Sequence, residues 1–195
     1  VTEIREKVFY GCKALTNVVL PATLTKLDKA AFDGCSSLTE ITLPKKLKTL
    51  GEAVFEGCTA LKAINVAEGN ASFASADGVL FNKAKTNLLA FPAGKTGAYA
   101  VPSGTEEIAA SAFSRCVGLS AITLPETLTT IGDQVFYRCT CLTELTLPNS
   151  VTSIGESFVY RCSALKSVTL GSGISTVGES MFYYANGLES INDGV

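Results

Sequence analysis

Apolar and polar positions along this chain repeat with a fixed spacing. An apolar residue followed by a turn residue recurs seven times, always after a 23-residue step except for one 35-residue step, which carries a 12-residue insertion. Self-similarity at such a period is typical of a solenoid, in which each unit packs only on its neighbours. The spacing therefore predicts a stack of about eight turns. The seven pairs are Leu20-Pro21, Leu43-Pro44, Val66-Ala67, Val101-Pro102, Leu124-Pro125, Leu147-Pro148 and Leu170-Gly171.

One copy of the repeat, residues 38–61, indicates which elements to expect. Residues 41–43 alternate between apolar and polar, which predicts a short strand, and Pro44 ends it because proline cannot donate to a ladder. Residues 48–50 predict a second short extended segment. Gly51 supplies a bend, and residues 52–55 predict about one helical turn with an acid at its N-terminal end. The pattern thus predicts an α/β repeat.

The 35-residue step places an insertion in residues 67–92. Two apolar runs are separated there by the polar segment 82–87, which predicts a β-hairpin between two half-arrays. The insertion is more apolar than a free hairpin requires, so one face is expected to fold onto the stack. The apolar residues are Phe73, Phe81, Leu88, Leu89 and Phe91. We favour a structural role for this hairpin, with a binding role as the alternative. Residues 1–195 are expected to form a single solenoid domain.

The sequence Phe-x-Gly-Cys-x-x-Leu-x-x-Ile-x-Leu-Pro, from Phe32 to Pro44, resembles the BspA-type leucine-rich repeats, also called the LRR_5 class. The segment Asp-Gly-Val-Leu-Phe that begins at Asp77 is similar to a hairpin that interrupts such arrays. The resemblance extends from Ile4 to Ile191 and implies a leucine-rich-repeat solenoid. Members of this family occur mainly on surfaces of host-associated bacteria and some protists, and they have been linked to adhesion and to host matrix proteins. An exported binding scaffold is therefore implied.

Composition narrows the classes of partner. The formal net charge of −2 provides no field that would hold nucleic acid or an anionic membrane. No run approaches 18 apolar residues, so direct membrane insertion is not expected. The repeats are already under way at Val1, no signal peptide is present, and they are still under way at Val195. We therefore expect a fragment or processed form of a longer protein.

The cysteine positions and the lack of histidine limit the kinds of catalytic and metal sites that the chain can form. Six of the seven cysteines occupy one repeat position, which predicts a column of buried thiols, and Cys141 is expected to be a partly exposed one. None shows the C-x-x-C spacing of a zinc site, and without histidine the Ser-His-Asp and Cys-His pairs are excluded. We expect no catalytic residue, no metal and no cofactor. The six are Cys12, Cys35, Cys58, Cys116, Cys139 and Cys162.

The residue pair before the repeating cysteine changes along the chain. Its second member is glycine at Gly11, Gly34 and Gly57, and arginine in most later copies. Aligned like charges repel each other, so three such replacements need a reason. Tyr and Arg are enriched at protein–protein hot spots, and we interpret this edge as a protein-binding surface. Its candidate residues are Arg115, Tyr137, Arg138, Tyr160, Arg161, Tyr183 and Tyr184.

An alternative explanation of this edge is structural. The arginines would pair with a column of acids that follows the bend glycine, and the tyrosines would cover the turn. That column consists of Glu52, Asp133, Glu156 and Glu179, which helix-dipole partnering also explains. The outward strand positions are weaker binding candidates, because Thr on a pleated surface needs no ligand to explain it. These weaker candidates are Thr42, Thr123, Thr146 and Thr169.

The sequence and its family resemblance favour a non-enzymatic protein-interaction module that is secreted or displayed at a cell surface. Host extracellular-matrix or surface proteins are the expected partners, and the periplasm is the alternative location. A structural spacer that holds another domain away from an anchor is the competing function. A small-ligand receptor with an apolar pocket near the insertion is a weaker one. End-to-end self-association is also expected, because a truncated stack exposes strand edges.

Overall fold

The computed structural model describes residues 1–194, and they form two compact units. The first unit is Val1–Lys95 and the second begins at Thr96. Each unit is a β-solenoid of stacked turns. The prediction of one domain over residues 1–195 stays a prediction.

The first unit stacks its strands in parallel, and paired residues are separated by one repeat. Glu3 pairs with Lys26 and Lys26 with Thr49, while Ile41 pairs with Ile64 on the other flank of the turn. This register confirms the period read from the sequence. The strands are β1 (Glu3–Ile4), β2 (Lys26–Leu27), β3 (Glu40–Leu43), β4 (Thr49–Leu50), β5 (Ala63–Val66), β6 (Phe73–Ala76), β7 (Val79–Asn82) and β8 (Asn87–Ala90).

The insertion forms the antiparallel strands β6, β7 and β8 of the first unit. Asn70 anchors its start: this buried side chain donates to the Pro44 and Leu47 carbonyls and accepts from the Ser72 and Phe73 amides. The side chain of Leu80 is fully buried in the core of the unit. One face of the insertion therefore packs on the stack.

The second unit repeats the parallel stacking. Leu145 pairs with Val168, which pairs with Ile191, again one repeat apart, and Thr130 pairs with Ser153 on the opposite flank. Its strands are β9 (Gly97–Ala100), β10 (Glu107–Ile108), β11 (Leu119–Thr123), β12 (Thr130–Ile131), β13 (Glu144–Thr146), β14 (Ser153–Ile154), β15 (Ser167–Leu170) and β16 (Ser190–Asp193).

Columns of aromatic rings occupy both cores. In the first unit, Phe32 lies 5.0 Å from the ring of Phe9 and 6.0 Å from that of Phe55. In the second unit, Phe136 lies 5.3 Å from the ring of Phe113 and 5.3 Å from that of Phe158. Fully burying a phenylalanine contributes roughly 1.5–3 kcal/mol, so these columns are a main source of stability.

The predicted solenoid is confirmed in each unit, but its α/β label is loose, because residues 1–194 contain no helix. Two residues of each turn, such as Ala30 (φ 53°) and Gly34 (φ 74°), have left-handed backbone, which ends an α-helix. Their amides donate to the next turn, from Ala30 to Glu52 and from Gly34 to Glu56, instead of back along the chain. Gly51 is needed at the bend, because a side chain there would overlap the backbone of the preceding turn.

Candidate functional site

The Tyr–Arg edge, the seven predicted residues Arg115, Tyr137, Arg138, Tyr160, Arg161, Tyr183 and Tyr184, lies within the second unit. Tyr137 and Arg138 lie between the fully buried Phe136 and Cys139, and both are half-buried. The Arg138 amide donates to the Tyr160 carbonyl at 2.8 Å, and this bond recurs from turn to turn. Backbone bonds between turns therefore align the edge side chains in columns.

In each repeat, the second residue of the pair that precedes the cysteine position has left-handed backbone. The φ angle is 58° at Arg138 and 60° at Arg161, compared with 69° at Gly11 and 74° at Gly34. Glycine enters this region at no steric cost, whereas another residue there costs of order 1 kcal/mol or more. Arginine is therefore not chosen at these positions for its backbone preference.

The tyrosines of the edge form a ladder of rings. Tyr160 is stacked 5.2 Å from Tyr137 at an interplanar angle of 19°, and it lies 5.4 Å from Tyr183. Tyr183 and Tyr184 are in edge-to-face contact at 4.4 Å, and they are 53% and 49% exposed. Such ring pairs contribute about 0.5–1.5 kcal/mol beyond their burial. The edge is thus an ordered aromatic surface that is open to solvent at its C-terminal end.

Two arginines stack on this ladder. The guanidinium carbon of Arg138 lies 5.3 Å from the centroid of Tyr137, and that of Arg161 lies 5.5 Å from Tyr160 and 5.0 Å from Tyr184. These distances are within the range of cation–π attraction. The tyrosines therefore hold the guanidinium groups in place.

Arg138 and Arg161 do not pair with the acidic column. Among residues 1–194, neither forms an ion pair and neither guanidinium donates to a protein acceptor, and Nε of Arg138 is buried without a partner. Two acids of the column are engaged elsewhere: Glu52 pairs with Lys29 at 2.9 Å, and Asp133 accepts from the Glu156 amide at 2.9 Å. The structural explanation from acid pairing therefore does not hold for these two arginines.

A shallow groove of about 410 Å³ opens between the two arginines. It brings together Arg138, Arg161 and Tyr184 with three residues that the sequence analysis missed. Those three lie two positions after the edge column in successive turns, so the 23-residue register was the signal that could have found them. They are Thr140, Ser163 and Asn186.

Arg115 lies at the other end of the edge. It is half-buried and shares the left-handed backbone (φ 58°), and its amide donates to the Tyr137 carbonyl at 2.7 Å. Ser114 stands where the later turns have tyrosine, and it is buried. The tyrosine ladder therefore begins at Tyr137, and Arg115 does not line the groove.

The weaker strand-face candidates occur in both units. Thr123, Thr146 and Thr169 line one groove of about 400 Å³ in the second unit. Thr42 is exposed on β3 of the first unit and lines another groove there, of about 450 Å³. The strand positions thus form a hydroxyl-bearing surface in the second unit, whereas the first unit contributes Thr42 alone.

The thiols are held inside the stack, except for two. Cys58 donates from Sγ to the Phe32 carbonyl at 3.1 Å, and Cys162 donates to the Phe136 carbonyl at 2.9 Å. Burial raises the pKa of both thiols to about 12, so they are poor nucleophiles at neutral pH. Cys12 and Cys141 are exposed, so the thiol column is not buried at Cys12. No disulfide links the cysteines of residues 1–194.

Residues 1–194 show no cluster of ligands for a metal ion. They also contain no helix with the length and apolar character that crossing a membrane requires.

Several solved structures are similar to this chain. A pneumococcal vaccine antigen, PcpA, is 30% identical with a TM-score of 0.76 over 98% of this chain. A leucine-rich repeat protein from Eubacterium ventriosum is 26% identical, with a TM-score of 0.78 over 97%. A leucine-rich cell surface protein from Faecalibacterium prausnitzii is 24% identical, with a TM-score of 0.78 over 100%, and shows the fold alone. The chain spans 56%, 63% and 58% of those three chains, respectively.

A family model agrees with these structures. No curated protein matches the sequence. The model of the BspA type leucine rich repeat region matches residues 1–98 and 89–194, with 6 copies. The stacked turns, the 23-residue register and this match together confirm the resemblance seen in the sequence, and the chain belongs to the BspA-type leucine-rich repeat family.

Proposed function

We propose that this protein is a non-enzymatic module that binds a protein partner through the Tyr–Arg edge. One observation carries the proposal: the guanidinium groups of Arg138 and Arg161 are positioned by tyrosine rings and yet donate to no acceptor in residues 1–194. Arginine and tyrosine dominate binding hot spots because they combine rigid contact area with directed donors. The edge thus supplies both parts of a hot spot.

The energetic cost of the edge supports the same conclusion. Left-handed backbone at Arg138 and Arg161 costs of order 1 kcal/mol each, and two aligned positive charges repel each other. Cation–π contacts at exposed sites return only about 0.5–1 kcal/mol each. The three contacts roughly offset the backbone cost, so packing by itself gives arginine little net advantage over glycine, and recognition of a partner would supply one.

We place this module outside the cell, secreted or at the cell surface. The family match supports this location, as does the similarity to a protein described as a vaccine antigen. The partner that fits such a location is a host extracellular-matrix or surface protein. A spacer without a partner of its own is the competing function.

The proposal is tested by binding to immobilised matrix proteins, such as fibronectin, laminin and collagen, measured by biolayer interferometry. The double variant Arg138→Ala/Arg161→Ala is compared with Lys46→Ala/Lys48→Ala, which removes the same charge from exposed positions of the first unit. We expect the edge variant to lose about tenfold or more in affinity, because charge-assisted hydrogen bonds contribute about 1.5–3 kcal/mol. The lysine variant should bind as the wild type does.

Thermal unfolding of both variants checks that the fold is retained. Equal affinity of the wild type and the edge variant would place the binding surface elsewhere. Lack of binding to every protein tested would favour the spacer function.

A further inference from the structure

We propose that the groove between Arg138 and Arg161 recognises a pair of carboxylates on an acidic segment of the protein partner. This inference rests on the proposed function and specifies the chemistry of the partner. Its first support is the set of groups that line the groove. They are the side chains of Arg138, Thr140, Arg161, Ser163, Tyr184 and Asn186.

The lining offers hydrogen-bond donors and positive charge. All six side chains carry N–H or O–H groups, and none carries a carboxylate. In residues 1–194, neither arginine has an acidic neighbour within ion-pair distance, and the side chains of Thr140, Ser163 and Asn186 form no hydrogen bond. A groove of this composition favours an anion.

The arginines are held in a way that leaves their terminal nitrogens available, whereas Nε of Arg138 is buried. Cation–π contacts place the two guanidinium carbons 5.0–5.5 Å from the ring centroids of Tyr137, Tyr160 and Tyr184, and no N–H of either guanidinium donates to an acceptor in residues 1–194. The two terminal nitrogens of a planar guanidinium match a carboxylate through two parallel hydrogen bonds. The stacking thus reduces the entropy that would be lost when a carboxylate binds.

Spacing indicates the form of the acidic segment. Arg138 and Arg161 occupy equivalent positions in successive turns, and turns of a β-stack are about 4.8 Å apart. Side chains four residues apart on a helix have Cβ atoms about 5–6 Å apart. Two glutamates one helical turn apart therefore fit the two guanidinium groups.

The surroundings favour a protein segment over a sulfated sugar. Tyr183 and Tyr184 place half-exposed rings beside the groove, and such rings bury apolar parts of a peptide. A polyanionic sugar needs an extended positive field, and this chain has a net charge of −2. The two arginines supply a local positive charge in an otherwise slightly acidic protein.

The test uses ¹⁵N-labelled protein of the full chain and follows the arginine Nε–Hε signals by NMR. The probe is an alanine-rich helical peptide with Glu at two positions four residues apart, and the matched peptide has Gln at both. We expect the Glu peptide to shift the signals of Arg138 and Arg161 and to bind about tenfold more tightly than the Gln peptide. The Arg138→Ala/Arg161→Ala variant should lose about tenfold, and Lys46→Ala/Lys48→Ala less than about twofold.

Further arms of the experiment separate the alternatives. Arg138→Lys/Arg161→Lys keeps the charge but removes the planar fork, and we expect it to lose about threefold or more. Equal binding by this variant, or equal binding of the Glu and Gln peptides, overturns the proposal. Tighter binding of a heparin oligosaccharide than of the Glu peptide also overturns it, in favour of a polyanion site. If a matrix protein requires both arginines but the Glu peptide does not compete with it, the acidic-segment inference fails while the proposed function stands.

Discussion

Glycine precedes the repeating cysteines of the first unit and arginine precedes those of the second, yet the backbone has the same conformation in both. Gly34 has a φ angle of 74° and Arg138 one of 58°. A Cβ atom at Gly34 would lie no closer than 3.5 Å to its neighbours, so steric space does not require glycine there. The solenoid can be built with either residue. Comparison of the two units therefore distinguishes the residues that the fold requires from the residues that can vary on its surface.

The Phe columns are the part that both units share, and they define the largest expected effect. We expect Phe32→Ala in the first unit and Phe136→Ala in the second each to lower the free energy of unfolding by about 3–5 kcal/mol, since both rings are fully buried between two others. Urea unfolding followed by circular dichroism measures this loss. Val19→Ala is the control, because Val19 is 89% exposed. A loss no larger than that of the control would show that the ring column of that unit contributes little to its stability.

The buried thiols are a second shared feature, and they predict a pH dependence. Burial raises the pKa of Cys58 and of Cys162 from 9.0 to about 12 in the folded state. Their stabilising contribution is complete below pH 9 and is lost as the pH rises toward 12, because only the unfolded thiols ionise in that window. At pH 11 each thiol should have lost about 2–3 kcal/mol of stabilisation.

The thiol prediction is measured as a difference between variants. The free-energy difference between the wild type and Cys162→Ala should shrink between pH 8 and pH 11, and Cys58→Ala should behave in the same way. Val168→Ala removes a buried side chain that does not ionise. The difference in unfolding free energy between the wild type and Val168→Ala should therefore stay constant between pH 8 and pH 11. A constant difference for the cysteine variants would mean that their thiols ionise equally in both states.

Exchange of the residues that distinguish the two units has the smallest expected effect. We expect Gly34→Arg to lower the free energy of unfolding by about 1 kcal/mol, because a side chain there must adopt a left-handed backbone. Arg138→Gly relieves that strain and loses one cation–π contact worth about 0.5–1 kcal/mol, so its net change should be within about 0.5 kcal/mol. Urea unfolding again gives both values. If Arg138→Gly instead lowers the free energy of unfolding by more than about 1 kcal/mol, the full value of the cation–π contact, Arg138 is a structural residue.

Most of the fold was predictable from the sequence, because the repeat is a local pattern. Strand β3 and its partner β5 follow from the alternation at residues 41–43 and from its recurrence in the next repeat. The predicted helical turn at residues 52–55 was wrong. The deciding hydrogen bonds run between turns, as from Ala30 to Glu52, and no local pattern reveals them.

The candidate site was predictable in part. The change from Gly57 to Arg115 and Arg138 is visible in the register, and so is the accompanying tyrosine column. Thr140, Ser163 and Asn186 were not predictable from residue type, because hydroxyl and amide groups at surface positions give no sequence signal until a groove brings them together.

By itself, the sequence determined the 23-residue period, the apolar columns and the family, because each depends on residue spacing along the chain. Tertiary structure alone decided that two residues of each turn adopt left-handed backbone, that Cys12 is exposed while Cys58 is buried, and that two arginines contact tyrosine rings without an acidic partner. These features depend on distances between side chains one turn apart. Such distances exist only after the chain has stacked.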